Sequence, residues 1–404
     1  MSTPSAAAPG RAGPLRRARA ATAAAFATQG LVFISLTTRL PDFSDRWALS
    51  ELVLSGLLLM MVLLAGAGSV VAETVAARRD SATLLRTGLG LLAVSVPVLA
   101  TAPDRAVFVA GLAVYGVGLG VVDASTNMQA VALEHRYARP ILPSFHGAWT
   151  LGGVVGAALA LATASLPLPA LAALAAVPVA VLLAPFLRRD HGPTQAAAAV
   201  AVPWRPILLV GLGMVLFYMV DTATQTWGPL MLDHTFATPS GLVALATFPY
   251  LLASGAVRLA GDGLVGRYGA VPVLRVGAVV ASASLAVVVF APTWPVAVVG
   301  FTVLGAGVAV IAPLSFSAAA RLAGGQDLDP ALRQARVDAV IARFNQFNYA
   351  GALLGAVLTG VVGAGSLRLG FAVPMVLVLG ILPLARAFAP EVSAPRPSGA
   401  GSAS

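Results

Sequence analysis

The chain has 404 residues, 58% of them hydrophobic and only 10% charged, with a formal net charge of +9. Soluble globular domains carry about a quarter charged residues, so a chain this apolar has no water-facing surface to offer and needs lipid as its solvent. The absence of cysteine excludes disulfide and thiolate chemistry, and the scattered His135, His146, His191 and His234 lack metal-ligand spacing.

A helix crossing the hydrocarbon core takes roughly 20 residues. Residues 1–19, rich in Ala, Pro and Ser with four arginines, are expected to be disordered. The apolar run that follows, to about Leu40, is read as a first span and not as a signal peptide, because more such runs follow it. The predicted spans cover roughly 20–40, 51–72, 81–101, 106–132, 142–164 and 167–187 in the first part of the chain. In the second part they cover roughly 205–230, 240–262, 270–291, 294–320, 338–363 and 368–389. Twelve spans leave no room for a soluble catalytic domain, so no enzyme is expected. Pro and Gly recur inside them, which helix bundles tolerate in lipid because neighbours satisfy the freed backbone groups.

Every basic residue is Arg. The N-terminus, alternate loops and the C-terminal end hold most of them, including Arg78, Arg136, Arg188, Arg267, Arg333 and Arg386; the opposite loops hold only Arg46, Arg105 and Arg368. This asymmetry places both termini in the cytoplasm, with the chain in the cell membrane. The arginines form no continuous basic face, so lipid is the expected partner and nucleic acid is not.

An internal repeat divides the chain. One shift superposes Glu73 and Arg78 on Asp262 and Arg267, and Gly111, Gly116 and Gly118 on Gly300, Gly305 and Gly307. Phe145-His146 with Gly152 and Gly156 matches Phe344-Asn345 with Gly351 and Gly355. The expected organisation is a six-helix bundle over 20–189, a linker over 190–204, a second bundle over 205–389 and a cytoplasmic tail over 390–404. Small residues four apart let helices approach closely, so both glycine pairs are read as packing.

Two six-helix halves, an acid–Arg loop after each second helix and cytoplasmic termini resemble the major facilitator superfamily. Its loop signature, Gly-x-x-x-Asp-Arg-x-Gly-Arg, is matched most closely by Arg258, Asp262, Arg267 and Gly269, and in degraded form by Ser69, Glu73 and Arg78. The resemblance implies an all-α fold of twelve transmembrane helices in two pseudo-symmetric bundles. It also implies a cytoplasmic gate at Glu73, Arg78, Arg258, Asp262 and Arg267. Asp123-Ala124-Ser125-Thr126-Asn127 is similar to the acid-x-x-x-Asn pattern of the fucose–proton symporter branch, where the acid takes part in proton coupling. Span one carries Thr37, four residues before Pro41, where that branch has an acid.

The polar residues inside the spans are the candidates for chemistry. An ionised Asp at mid-membrane costs roughly 2.5–3.5 kcal/mol, and protonating it at neutral pH costs about 4 kcal/mol. The two costs are close enough that hydration or a partner decides the state, which suits a proton carrier. Asp123 and Asp221 are the expected proton-coupling residues. Asn127 lies one turn from Asp123, and Gln225 one turn from Asp221. His146 and Trp149 share a face of span five, and Asn345 and Asn348 share one of span eleven. These six, with Trp227 and Arg39, are the candidate substrate contacts. Static interhelical hydrogen bonds are the competing reading for the amides and His146, the interfacial aromatic belt for Trp227, and snorkelling for Arg39.

The function expected is proton-coupled transport of a small polar solute, with a sugar among the candidates, by a monomer without metal or cofactor. Export of a drug-like or secondary-metabolite compound is the alternative, and a non-transporting receptor or scaffold is a third. Gly156 is followed by Ala157 where the superfamily's antiporters often have Gly-Pro, which favours uptake.

Overall fold

The computed structural model describes residues 12–76, 78–137, 141–187, 204–324, 337, 340, 344 and 346–389. Among these residues the chain is helical and contains no strand. Twelve apolar helices follow one another: α1 Gly13–Thr37, α2 Glu51–Ala76, α3 Ser81–Thr101, α4 Arg105–Glu134, α5 Ser144–Ala162 and α6 Leu168–Leu182, then α7 Trp204–Thr235, α8 Ser240–Gly261, α9 Ala270–Phe290, α10 Trp294–Ala323, α11 Gln346–Val362 and α12 Leu367–Phe388. Ten are long and apolar enough to cross a membrane, and α6 and α11 are shorter. Large apolar side chains such as Leu63, Val94, Leu151, Leu259 and Phe290 point outward, as a lipid-facing surface requires.

The first helix begins at Ala12, inside the stretch expected to be disordered. Arg16, Arg17 and Arg19 therefore sit on helical turns, and Arg19 reaches the Tyr137 ring at 5.5 Å. Arg is a good helix former, so the helix runs on past the apolar core it serves. The tail 390–404 and most of the linker 190–204 lie outside the described residues.

The repeat is visible in contacts as well as in letters. Gly152 and Gly156 of α5 press against the carbonyls of Ala27 and Leu31 in α1, while Gly351 and Gly355 of α11 press against those of Val215 and Met219 in α7. Gly116 of α4 meets the Met61 carbonyl of α2, and Gly305 of α10 meets the Tyr250 carbonyl of α8. At each place a Cβ would collide with backbone, so glycine sets how closely the helices approach.

These contacts build two pseudo-symmetric six-helix bundles, α1–α6 and α7–α12. They meet along a seam where α5 packs on α8 and α2 on α11. At the face opposite the termini, Glu51 at the start of α2 and His234 at the end of α7 lie 3.5 Å apart and join the halves. On that same face Arg46 donates to the Ala100 and Ala102 carbonyls at the end of α3, at 3.2 and 2.7 Å. Arg368 donates to the Val289 and Ala291 carbonyls at the end of α9. Arg46 and Arg368 thus cap helix C-termini on this face.

Candidate functional site

Asp123 lies on α4 with its carboxyl in the seam. The Tyr349 hydroxyl of α11 donates to it at 2.7 Å, and Gln29 Nε2 of α1 approaches it at 3.4 Å. Tyr349 belongs to the other half, so the carboxyl of one bundle is held from across the seam. Gln29 is buried and its Oε1 has no hydrogen-bond partner. Asn127, one turn on, donates to the Asp123 backbone carbonyl at 2.9 Å. Its amide nitrogen is turned back onto its own helix.

Asp221 occupies the middle of α7 and accepts a 2.6 Å hydrogen bond from the Tyr250 hydroxyl of α8. Gln225 faces the same carboxyl from one turn away. Its Nε2 nevertheless closes no hydrogen bond of ordinary geometry, although the residue is only 1% exposed. Tyr218 is within electrostatic reach of Asp123, Asp221 and Arg258 together. The two carboxyls therefore belong to one polar cluster along the seam.

Arg258 completes that cluster. The α-helix Phe248–Tyr268 carries α8 beyond Gly261, so Arg258 sits within a helix and not in the loop. Its Nε donates to the Ala309 carbonyl at 3.1 Å. α10 is interrupted there, between Trp294–Val308 and Ile311–Gly324, and the residue four on from Ala309 is Pro313, which has no N–H to bond that carbonyl. Nη1 donates to the Thr150 hydroxyl of α5 at 2.9 Å, crossing the seam. The guanidinium also lies 5.9 Å from the centre of the Phe217 ring.

His146 also spans the seam, 5.8 Å from the Phe316 ring of α10 and 5.5 Å from the Phe26 ring of α1. Trp149 leans on Phe33 of α1 at 6.4 Å. Asn348 is half-buried beside Tyr349. Asn345 and the Asp262 side chain lie outside the described residues.

Other candidates are engaged elsewhere. All three guanidinium nitrogens of Arg39 donate: Nε to Asp42, Nη1 to the Thr163 carbonyl and Nη2 to the Leu166 carbonyl. It ties the end of α1 to the end of α5, and its side chain is buried there. Trp227 is fully buried and gives its indole N–H to the Ala356 carbonyl at 2.9 Å. Residues 354–358 form a π-helical turn that opens that carbonyl. Trp227 therefore packs within the protein, beside Gly360 where Ser55 of the first half also lies.

Among the described side chains, Glu73, Arg78 and Arg267 do not gather around Arg258. Glu73, Arg78 and Arg267 are exposed, and Arg267 stacks over Tyr268 at 5.3 Å. Among the described residues no ion pair joins them.

Sequence reasoning missed Gln29, Thr150, Tyr218 and Tyr250 and left Tyr349 aside. The repeat held the signal for two of them. The shift that places His146 on Asn345 also places Thr150 on Tyr349, and the one that places Glu73 on Asp262 places Ser69 on Arg258. Tyr349 lies against Ser69, and Arg258 bonds Thr150. The two crossings of the seam are pseudo-symmetric images of each other.

No family profile matches the chain. An uncharacterized transporter of Sinorhizobium fredii is 28% identical over 309 residues, 74% of this chain and 81% of that protein. An uncharacterized MFS-type transporter of Yersinia pestis is 25% identical over 373 residues, 90% of this chain and 94% of that protein. Among solved structures, the nucleoside transporter NupG with a D323A substitution superposes with a TM-score of 0.70 at 13% identity, covering 93% of this chain and 99% of its own. The MFS transporter FucP in its outward conformation superposes with a TM-score of 0.61 at 17% identity, covering 92% and 98%. Those two structural likenesses carry the fold, and the two sequence relatives carry the word transporter.

Proposed function

Starting from a multi-pass membrane protein with the major facilitator fold and transporter relatives, we propose that the chain is a secondary active transporter. It moves a small polar solute across the cell membrane by alternating access, with proton movement as the driving force. Both termini are cytoplasmic, the working unit is the monomer, and no enzymatic step is involved.

The observation that carries this reading is Asp123 held by Tyr349 across the seam. A hydrogen bond to an ionised carboxylate is roughly twice as strong as one between neutral groups. Protonating Asp123 therefore weakens the link between the bundles, and deprotonating it restores the link. A proton arriving at this carboxyl changes the energy of separating the two halves, which is what coupling requires. Asp221 with Tyr250 supplies a second carboxyl in the same cluster, and Gln225, His146, Asn127, Asn345, Asn348 and Trp149 are the groups closest in type to a polar solute's needs. Glu73, Arg78, Asp262 and Arg267 remain proposed gate residues at the termini face.

The test is flux into proteoliposomes under an imposed pH gradient, with the solute taken from a thermal-shift screen. Asp123→Asn keeps the shape, stands in for the protonated acid with one acceptor and an N–H donor, and carries no titratable proton, so it should exchange solute without concentrating it. Gradient-driven accumulation at the wild-type rate in Asp123→Asn would remove the coupling role. The aromatic run Phe26, His146, Phe316 and Phe344 favours one second reading, export of a flat drug-like compound. Efflux from inside-out vesicles separates the two directions.

A further inference from the structure

We propose that Arg258 is an oxyanion-recognition residue and that the solute carries a single carboxylate. The identity of the solute deepens the transport reading and rests on it, but the binding step can be measured without transport.

A guanidinium offers five N–H donors in a planar fork. Arg258 uses Nε on the Ala309 carbonyl and Nη1 on the Thr150 hydroxyl, both neutral acceptors. Nη2 makes no hydrogen bond among the described residues, and none of the ion pairs found among them involves this side chain. Asp221 is within electrostatic reach, but it makes no ion pair with Arg258 among the described residues, and its Oδ1 accepts from Tyr250. A charge kept inside a membrane helix is costly and is a functional-site hypothesis by default. Satisfying one carbonyl at a helix break needs only a neutral donor, so packing does not account for the charge.

The surroundings supply an independent sign of a missing guest. The Oε1 of Gln29, a residue only 6% exposed, has no hydrogen-bond partner beside Asp123, while Gln225 faces the Asp221 carboxyl of the same cluster. Buried amide groups are ordinarily paired. A guest with an anionic end for Arg258 and a hydrogen-bond donor for Gln29 Oε1 would complete both. Charge selects the type of anion. One guanidinium matches one negative charge, whereas Asp123 and Asp221 repel a dianion such as a phosphate monoester.

The position of Thr150 gives binding a mechanical consequence. Thr150 belongs to the first half, and Arg258, Ala309 and Phe217 belong to the second. A carboxylate that accepts Nη1 and Nη2 together displaces the Thr150 hydroxyl and cuts one of the two pseudo-symmetric crossings. The solute then loosens the seam at Arg258 as the proton does at Asp123.

The experiment uses purified full-length protein in detergent and matched probes: D-glucuronate against D-glucose, and benzoate against benzyl alcohol. Thermal unfolding and direct titration should favour the carboxylate of a pair by tenfold or more. Arg258→Gln should abolish that preference, and Arg258→Lys should keep part of it. Where Arg258→Gln does not fold, phenylglyoxal modification of wild-type Arg258, read by peptide mass spectrometry, gives the same answer. Carboxylates should slow it at least fivefold and the neutral partners should not. Binding of neutral members alone, no binding by either carboxylate, or unaltered preference in Arg258→Gln each overturns the assignment. Proton-driven flux of a neutral solute would overturn it while leaving the transport reading intact, whereas carboxylate binding without any flux would do the reverse.

Discussion

Tyr349 on α11 and Asp123 on α4 meet at 2.7 Å although they belong to different bundles. The bond is the one place where a mid-span carboxyl of the first half is gripped directly by a side chain of the second among the described hydrogen bonds. A tyrosine hydroxyl suits the position because its ring fills apolar space while its tip stays polar.

Tyr349→Phe removes the hydroxyl and leaves the ring. A hydrogen bond to a charged group contributes about 1.5–3 kcal/mol, so the carboxylate loses that much support at the seam. Proton-driven uptake should fall by about tenfold, with the purified protein still folded and monodisperse. Uptake equal to wild type, with the same dependence on external pH, would take this contact out of the transport cycle.

The Arg258–Thr150 crossing predicts a measurable coupling. Thr150→Val is nearly isosteric and deletes the acceptor, while Thr150→Ser retains it. A double-mutant cycle of Thr150→Val with Arg258→Lys, read by thermal unfolding, should give an interaction energy of about 0.5–3 kcal/mol. Thr150→Ser in the same cycle should behave as wild type. Strict additivity would mean that the 2.9 Å contact contributes nothing to holding the halves together.

How much of this was legible beforehand depends on the kind of signal. The spans, the twofold division and the glycine pairs follow from apolar run length and repeat spacing, because lipid permits little else. Asp123 and Asp221 were legible as carboxyls in apolar helices. Their tyrosine partners were not, since Tyr250 and Tyr349 come from other helices and nothing in the local pattern points Tyr250 at Asp221 or Tyr349 at Asp123. Arg258 matched a signature position by spacing and already fell inside the span 240–262, while the helix Phe248–Tyr268 runs on through the part of the signature read as loop. What spacing did not show is its reach to Thr150 across the seam. Asn127 shares the Asp123 face as periodicity predicts, but its amide nitrogen chose its own backbone. Rotamer choice of that sort is invisible to spacing.

The glycine contacts give a contrast within one helix. Gly152 lies against the Ala27 carbonyl, whereas a Cβ at Gly147 meets nothing within 4 Å. Gly152→Leu should force α5 off α1 and prevent recovery of folded protein, and Gly351→Leu should do the same for α11 on α7. Gly147→Ala should be tolerated or gain up to about 1 kcal/mol from helix propensity. Size-exclusion profiles and unfolding temperatures of the three variants decide the matter. A monodisperse, wild-type-like Gly152→Leu would contradict the packing.

The Glu51–His234 pair bridges the halves at the face away from the termini, with side chains 31% and 28% exposed. This contact is an ion pair only while His234 is protonated; exposed pairs are worth at most about 1 kcal/mol and are screened by salt, so with His234 protonated it can bias the closure of that face without locking it. Ser55 lies one turn below, buried against Gly360 and Trp227 of the other half. Because the chain contains no cysteine, Ser55→Cys introduces a single thiol whose labelling reports on opening. A membrane-impermeant maleimide should modify it slowly, and adding Glu51→Gln should raise the rate by up to about fivefold, the factor that 1 kcal/mol allows. High salt should raise the rate in the Ser55→Cys protein and have less effect once Glu51 is replaced. Labelling that ignores both changes would place the closure of this face in the apolar contacts of α2 with α11, and leave the ion pair as a bystander.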